Sequence, residues 1–202
     1  MKLYYSPGAC SLSPHIALYE SGLPFQAVLA STRTHKLQDG TDYYTINPKG
    51  YVPLLESDDG TRLAEGPAIV QWIADQVPEK RLAPAAGTME RYRLQEWLTF
   101  IGTEIHKQFS PQFYPAMPEE AKALFRQKVL DRLAYVNQQL EGRAYLLGSQ
   151  FSVADGYLYT VTRWTGPLKL DISGLANLNA FMARLAARPA VQQAIKAEGL
   201  PG

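Results

Sequence analysis

Cys10 is the only cysteine of the 202-residue chain, and it lies where a predicted strand passes into a predicted helix. A thiol at the start of a helix faces unpaired backbone N–H groups and the positive end of the helix dipole. Both favour the thiolate, which is the form that attacks electrophiles and disulfides. The alternative is a small buried side chain, because cysteines outside disulfides are among the most buried residue types. The position favours a reactive thiol.

Two further segments present backbone groups that a small peptide can use. Val52 precedes Pro53, and a bond before proline adopts the cis form far more readily than other peptide bonds, which would turn the Val52 N–H and C=O outward. The alternative is a trans proline on an edge strand. Glu65 and Gly66 open a predicted helix, whose N–H groups attract carboxylates. An acid at that position also stabilises the helix dipole without binding anything.

The composition excludes several classes of function. Hydrophobic residues make up 46% of the chain, charged residues 19%, and the net charge is +1, so no strong field recruits nucleic acid or an anionic membrane. Three histidines and one cysteine without metal-ligand spacing predict no metal site and no internal disulfide. We also expect no cofactor. The first residues lack a signal-peptide pattern, and no apolar run reaches the ~20 residues of a membrane helix. We therefore expect a soluble cytoplasmic protein.

The first 80 residues mix strands with helices, as a scaffold for these candidates. The sequence predicts a strand at 3–5, a helix ending at 21, a strand at 25–29, a loop or short irregular helix at 31–46, a hairpin of strands 54–57 and 62–64, and a helix from 65–67 onward. If the first helix is a crossover, the first two strands are parallel.

The remainder of the chain is predicted to be helical. Residues 77–88, with two prolines and a glycine, are the best linker candidate. Helices are then expected at 89–110 and 118–141, from 151–155 onward, and within 175–198. Ser152 and Asp155 have the spacing of a capping box, with Asp in place of the usual Glu.

Five stretches resemble a bacterial beta-class glutathione transferase in order and spacing, and together they span nearly the whole chain. They are KLYYSPGACSLSPH at 2–15, NPKGYVP at 47–53, EGPAI at 65–69, EIHK at 104–107 and FSVAD at 151–155. The resemblance implies an α/β plus all-α protein: a thioredoxin-like, glutathione-binding domain of order βαβαββα at 1–80, a linker at 81–88, and an all-helical domain at 89–202. It also implies a homodimer, with glutathione bound at the domain interface. The helical domain would carry the hydrophobic acceptor site and part of the dimer interface.

The resemblance also assigns roles in the first domain. Cys10 would meet the glutathione sulfur, and the backbone of Val52, before a cis Pro53, would pair with the cysteinyl unit. Glu65 would hold the γ-glutamyl ammonium, and the Gly66 N–H would hold its carboxylate. These five residues form the predicted core of the glutathione site.

Further roles fall on the predicted helix at 89–110. His106 would approach Cys10 and act with it in catalysis, and Lys107 would lie near it. Thr103 and Glu104 would reach the glutathione of the neighbouring subunit. The alternative for His106 is a packing histidine, and the alternative for Thr103 and Glu104 is an exposed helical face.

Two positions depart from the family pattern. His35 stands where a lysine that pairs with the glycine carboxylate of glutathione is common, and Lys36 follows it. Histidine is mostly neutral at pH 7, so we expect binding to weaken or to shift to Lys36. Thr99 stands where an Asn is common and offers fewer hydrogen bonds.

Three functions are compatible with these residues. The leading one is conjugation of reduced glutathione to small hydrophobic electrophiles, with Cys10 at the glutathione sulfur. A second is a monothiol disulfide reductase or reductive dehalogenase that works through a mixed disulfide between Cys10 and glutathione, because the chain has no Cys-x-x-Cys motif. A third is a non-catalytic carrier of hydrophobic compounds.

Overall fold

The computed structural model of the chain describes residues 1–201, which pack as two compact units. One unit comprises residues 1–83 together with the C-terminal residues from 186 onward, and the other comprises residues 84–185. The C-terminal residues group with the first unit because a helix at Pro189–Ala197 packs against one at Leu12–Ser21. The predicted domain bounds, which place those residues in the second domain, stay a prediction.

The first unit is a mixed four-stranded sheet with helices. Its elements are β1 (Lys2–Tyr5), α1 (Leu12–Ser21), β2 (Gln26–Leu29), β3 (Leu54–Glu56), β4 (Arg62–Ala64), α2 (Gly66–Asp75) and the C-terminal α8 (Pro189–Ala197). The strand order is β2-β1-β3-β4, with β1 and β2 parallel and the other pairs antiparallel. The parallel pair and the β3–β4 hairpin confirm the sequence prediction.

The segment between β2 and β3 holds less helix than the order βαβαββα implies. It contains only a 3-10 turn at Tyr43–Thr45, which begins where the Asp42 carboxylate accepts the Tyr44 N–H at 3.0 Å. Polar residues without a helical period give this segment no apolar face to bury, so it stays irregular. The loop or short irregular helix predicted at 31–46 is thus present as an irregular segment with one 3-10 turn.

A small hydrophobic cluster supports the end of this segment. Tyr4 from β1 and Leu54 from β3 pack with Ala30, Tyr43 and Val52, all of which are buried. Burial of Val52 in this cluster fixes the backbone that precedes Pro53. The sheet therefore positions one of the predicted binding groups directly.

The second unit is helical, as predicted. Its helices are α3 (Met89–Phe100), a π-helical turn (Ile101–His106), the short α4 (Lys107–Phe109), α5 (Glu119–Gln139), α6 (Val153–Thr162) and α7 (Ala176–Ala186). The long helix predicted at 89–110 is present as one continuous helical run, which contains a π turn that the sequence does not predict. A π turn inserts one residue into the helical ladder, and such turns are frequent at functional sites.

Helix α6 lies entirely inside the second unit, since all ten of its residues are buried. The predicted capping box is present: the Asp155 carboxylate accepts the Ser152 N–H at 2.7 Å and the Ser152 hydroxyl at 2.8 Å. It also accepts the Leu146 N–H at 2.8 Å, which ties the preceding turn to the helix. Asp155 therefore organises the start of the central helix.

Within residues 1–201, no helix combines the length and the apolar character that a membrane span requires. The same part of the chain contains no group of three or more histidine, cysteine or acidic side chains arranged to hold a metal ion.

Candidate functional site

Cys10 lies on the turn that leads into α1, two residues before the helix begins at Leu12. Its side chain is partly exposed, and its thiol donates to the carbonyl oxygen of Val52 at 3.3 Å. The predicted position at a helix start is confirmed. The contact adds a feature that the sequence does not reveal, because it brings the thiol onto the backbone just before Pro53.

The turn that carries Cys10 is anchored from the far end of the chain. The Glu198 carboxylate accepts the Gly8 N–H at 2.9 Å and contacts His15 Nδ1 at 2.8 Å, and the side chains of both His15 and Glu198 are fully buried. The rings of Tyr5 and Tyr19 pack against His15, each with a centroid distance of 5.3 Å. His15 is therefore a structural residue that helps to fix the thiol turn.

The Val52–Pro53 bond is cis, as the resemblance implies. The preceding loop is held by two donors to the Tyr51 carbonyl: the Asn47 side-chain amide at 2.7 Å and the Tyr43 hydroxyl at 3.1 Å. Burial raises the pKa of Tyr43 to about 12, so its hydroxyl keeps its proton and remains a donor. The segment 47–53, called the proline loop below, is thus a fixed part of the site.

The start of α2 adjoins the proline loop. A Cβ atom built on Gly66 would lie 3.8 Å from the Pro53 ring, and the Glu65 carboxylate pairs with Lys49 at 2.7 Å. Glu65 precedes the helix with a φ of 69°, a conformation that non-glycine residues adopt rarely and mainly at functional sites. Glu65 and Gly66 therefore lie at one end of the loop that meets Cys10.

His35 contacts the middle of the proline loop. Its Nδ1 lies 3.1 Å from the Gly50 carbonyl oxygen, and its ring packs on Tyr44 at a centroid distance of 4.7 Å. Only glycine fits at position 50, because a Cβ there would come within 2.5 Å of the Tyr44 ring and φ is 69°. Lys36 is exposed beside His35. Seven binding residues are predicted in the first unit. Val52 and Pro53 belong to the proline loop, and Cys10, His35 and Glu65 contact it. Lys36 and Gly66 are the chain neighbours of two of these contacting residues.

His106 is the last residue of the π turn in the second unit. Its Nδ1 lies 2.6 Å from the hydroxyl oxygen of Tyr157, which is 3% exposed. The Trp164 ring contacts it at a centroid distance of 5.1 Å and an interplanar angle of 64°. Trp164 is itself contacted edge-on by Phe109 and Phe113 at 5.4 and 5.5 Å. His106 is therefore part of an aromatic cluster.

The other predicted residues of the second unit lie on the same helical run. Thr103 donates to the Thr99 carbonyl at 3.0 Å, so these two residues are coupled to each other. Glu104 pairs with Arg132 of α5 at 3.0 Å, with both side chains partly exposed. Lys107 is exposed at the start of α4. These four residues keep the roles that the resemblance implies as predictions.

Sequence reasoning missed three residues that contact the predicted site. They are Lys49, which pairs with Glu65; Tyr157, which hydrogen-bonds His106; and Glu198, which holds the thiol turn. Only Lys49 carried a usable signal, because it lies inside the 47–53 stretch that resembles the family. The other two are far along the chain from the residues they contact.

Comparison with known proteins accounts for both units. Residues 8–76 match the family model of the glutathione S-transferase N-terminal domain, and residues 96–189 match that of the C-terminal domain. The chain belongs to the glutathione S-transferase family. It is 48% identical to glutathione S-transferase GstA of Escherichia coli O157:H7 over 99% of this chain and 100% of that protein.

Solved structures agree with this assignment. The bacterial glutathione S-transferase BphK, in a ternary complex, is 56% identical with a TM-score of 0.97, covering 99% of this chain and 100% of its own. A sphingomonad glutathione S-transferase complexed with glutathione is 48% identical, and the beta-class enzyme of Sphingomonas chungbukensis is 47% identical. Each of these two has a TM-score of 0.96 over the full length of both chains. The predicted family, its beta class and the fold class are confirmed.

Proposed function

We propose that the chain conjugates reduced glutathione to small hydrophobic electrophiles and that its first unit holds the glutathione. The contact that carries the proposal is the one between the Cys10 thiol and the Val52 carbonyl, at 3.3 Å beside the cis Val52–Pro53 bond. The Val52 N–H and C=O are the groups with which an extended peptide pairs as an added strand does. A thiol at the same point would meet the sulfur of that peptide.

The two ends of glutathione have matching partners along the proline loop. The Glu65 carboxylate would take the γ-glutamyl ammonium in place of Lys49, and the Gly66 N–H at the start of α2 would take the γ-glutamyl carboxylate. His35, which contacts Gly50 of the loop, and Lys36 beside it would face the glycine carboxylate. Exposed ion pairs contribute little, about 0–1 kcal/mol, so exchange of Lys49 for the ligand is not costly.

In this account the reacting nucleophile is the glutathione sulfur. Cys10 donates its S–H to the Val52 carbonyl, a contact that requires the proton on the protein thiol. When the cysteinyl N–H of glutathione occupies that carbonyl, the glutathione thiol releases its proton to solvent, and the Cys10 thiol turns to the ligand and donates to the resulting thiolate. The hydrogen-bonded thiolate then attacks the electrophile, forms a carbon–sulfur bond and displaces the leaving group with its electron pair.

The second unit supplies the remaining groups of the proposal. His106 and Lys107 would stabilise the thiolate, and Thr99 would take the place of the family asparagine. Thr103 and Glu104 would serve the glutathione of a second subunit, which makes the working form a homodimer. We further propose that the glutathione-binding domain spans residues 1–80 and the helical domain residues 89–202. The helical domain would carry the hydrophobic acceptor site, and the protein would act in the cytoplasm.

The test is conjugation of glutathione to 1-chloro-2,4-dinitrobenzene by the wild type and by Cys10→Ala and Cys10→Ser. We expect turnover by the wild type and a loss of about tenfold or less in kcat for Cys10→Ala, because the attacking sulfur belongs to the ligand. Cys10→Ser, which keeps a donor, should lose less. Absence of turnover by the folded wild type contradicts the proposal.

Intact mass after treatment with oxidised glutathione separates the redox alternative. In that reaction the Cys10 thiolate attacks one sulfur of the disulfide, a mixed disulfide forms, and one glutathione thiolate leaves. Our account predicts little adduct and persistent conjugation by Cys10→Ala. A stoichiometric adduct on the wild type, together with loss of all turnover in Cys10→Ala, would favour the reductase. Retention on immobilised glutathione without any turnover would favour the carrier.

A further inference from the structure

The hydroxyl of Tyr157 has no role in the function proposed above, yet it lies within hydrogen-bonding distance of His106. Its oxygen lies 2.6 Å from His106 Nδ1. Tyr157 belongs to α6, all of whose residues are buried, and its own side chain is 3% exposed. A buried hydroxyl placed against a histidine of the candidate site selects which ring nitrogen carries the proton.

The chemistry of the two groups indicates the direction of this hydrogen bond. A phenolic hydroxyl is a stronger donor than acceptor, because its oxygen lone pair is delocalised into the ring, and the unprotonated nitrogen of a neutral imidazole is a strong acceptor. We therefore assign the Tyr157 hydroxyl as the donor and His106 Nδ1 as the acceptor of this contact. A neutral imidazole that accepts at Nδ1 carries its proton on Nε2.

The orientation of the ring is fixed as well. The planes of His106 and Tyr157 are nearly perpendicular, at 84°, and Trp164 contacts His106 from another direction at 64°. Trp164 is held in turn by Phe109, which is fully buried. These ring contacts and the hydrogen bond at Nδ1 hold the plane of the His106 ring.

We propose that Tyr157 is a positioning residue for His106, whose hydroxyl holds Nδ1 as an acceptor so that the N–H of Nε2 is presented as a donor to an anionic sulfur. Tyr157 acts only through His106, and this inference rests on the proposed role of His106 in glutathione conjugation. Without the hydroxyl, the ring proton can occupy Nδ1, and Nε2 then presents a lone pair that repels a thiolate.

The experiment combines nitrogen NMR of the histidine rings with steady-state kinetics on the full chain. The chain has three histidines, and His106→Asn assigns the His106 signals. We expect the wild type to show the Nε2–H tautomer and Tyr157→Phe, which keeps the ring, to show a mixture or the Nδ1–H tautomer. In conjugation of 1-chloro-2,4-dinitrobenzene, kcat should fall about tenfold while KM for glutathione stays within about twofold.

Tyr159→Phe is the matched control. Tyr159 lies two residues away on the same helix, is 2% exposed, and has a hydroxyl that accepts from Arg163 at 3.1 Å. Removing that hydroxyl should leave the His106 signals and kcat within about twofold of the wild type. An equal effect of both substitutions would show a general packing defect and overturn the proposal.

Two results would overturn it directly. One is an Nδ1–H tautomer of His106 in the wild type, which needs no variant. The other is a Tyr157→Phe protein whose tautomer or kcat equals that of the wild type. If the wild type conjugates nothing, the proposed function fails, while the NMR comparison still decides whether Tyr157 sets the tautomer.

Discussion

Replacement of Glu198 by alanine is expected to lower the free energy of unfolding by about 3–5 kcal/mol. The fully buried carboxylate accepts the Gly8 N–H and contacts His15 Nδ1, at 2.9 and 2.8 Å. Alanine removes the acceptor from two buried groups, each of which costs about 1–3 kcal/mol when left unsatisfied, and it also leaves a cavity. The change should be measured by urea unfolding at neutral pH.

Glu20→Ala is the comparison for this effect. Glu20 joins the same two helices, α1 and α8, through bonds to Arg188 at 2.7 and 2.9 Å, but this pair is partly open to solvent. We expect a loss of about 1 kcal/mol there. A Glu198→Ala protein that loses no more than Glu20→Ala would show that the buried carboxylate does not hold the thiol turn.

Replacement of Asp155 by alanine should have the second-largest effect, a loss of about 2–4 kcal/mol at pH 7. The carboxylate accepts three hydrogen bonds from Ser152 and Leu146, and none of these donors can be reached by the shorter side chain. Asp171→Ala is the control, because Asp171 is exposed and accepts one bond from the Ser173 N–H at 2.9 Å. We expect that control to lose less than about 1 kcal/mol.

The same variant carries a pH signature. Burial raises the pKa of Asp155 from 3.8 to about 6, although the hydrogen bonds that its carboxylate accepts act in the opposite direction. A carboxyl whose pKa is raised on folding contributes stability below its unfolded pKa and loses it as the pH rises through the folded pKa. The loss caused by Asp155→Ala should thus be about 1 kcal/mol larger at pH 5 than at pH 7. A smaller loss at pH 5 would mean that the hydrogen bonds outweigh burial.

Local patterns account for what could be predicted from the sequence. Gly22 ends α1 in a left-handed conformation, Ser152 and Asp155 form the capping box, and Asp58-Asp59-Gly60 turns the β3–β4 hairpin. Each of these depends on residues within a few positions of one another. The binding residues predicted in the first unit also come from short stretches, and most of them lie on or beside the proline loop.

Contacts between residues far apart in the sequence account for the features that could not be predicted. His15 and Glu198 are 183 positions apart, and His106 and Tyr157 are 51 apart, so no spacing rule connects them. The π turn at Ile101–His106 contains no proline, and no local pattern in its sequence marks it. Tertiary packing decides these features, and Tyr157 was missed for the same reason.

The central claim is that the proline loop and the start of α2 form a glutathione site. Calorimetric titration of reduced glutathione into the wild type, Glu65→Gln and Asp75→Asn tests it most directly, because Asp75 lies at the opposite end of the same helix. We expect the wild type to bind one glutathione per chain and Asp75→Asn to bind it unchanged. Glu65→Gln should bind at least about tenfold more weakly, because it loses a charge-assisted bond to the ligand ammonium. Absence of binding to the folded wild type, or equal affinities of the wild type and Glu65→Gln, would contradict it.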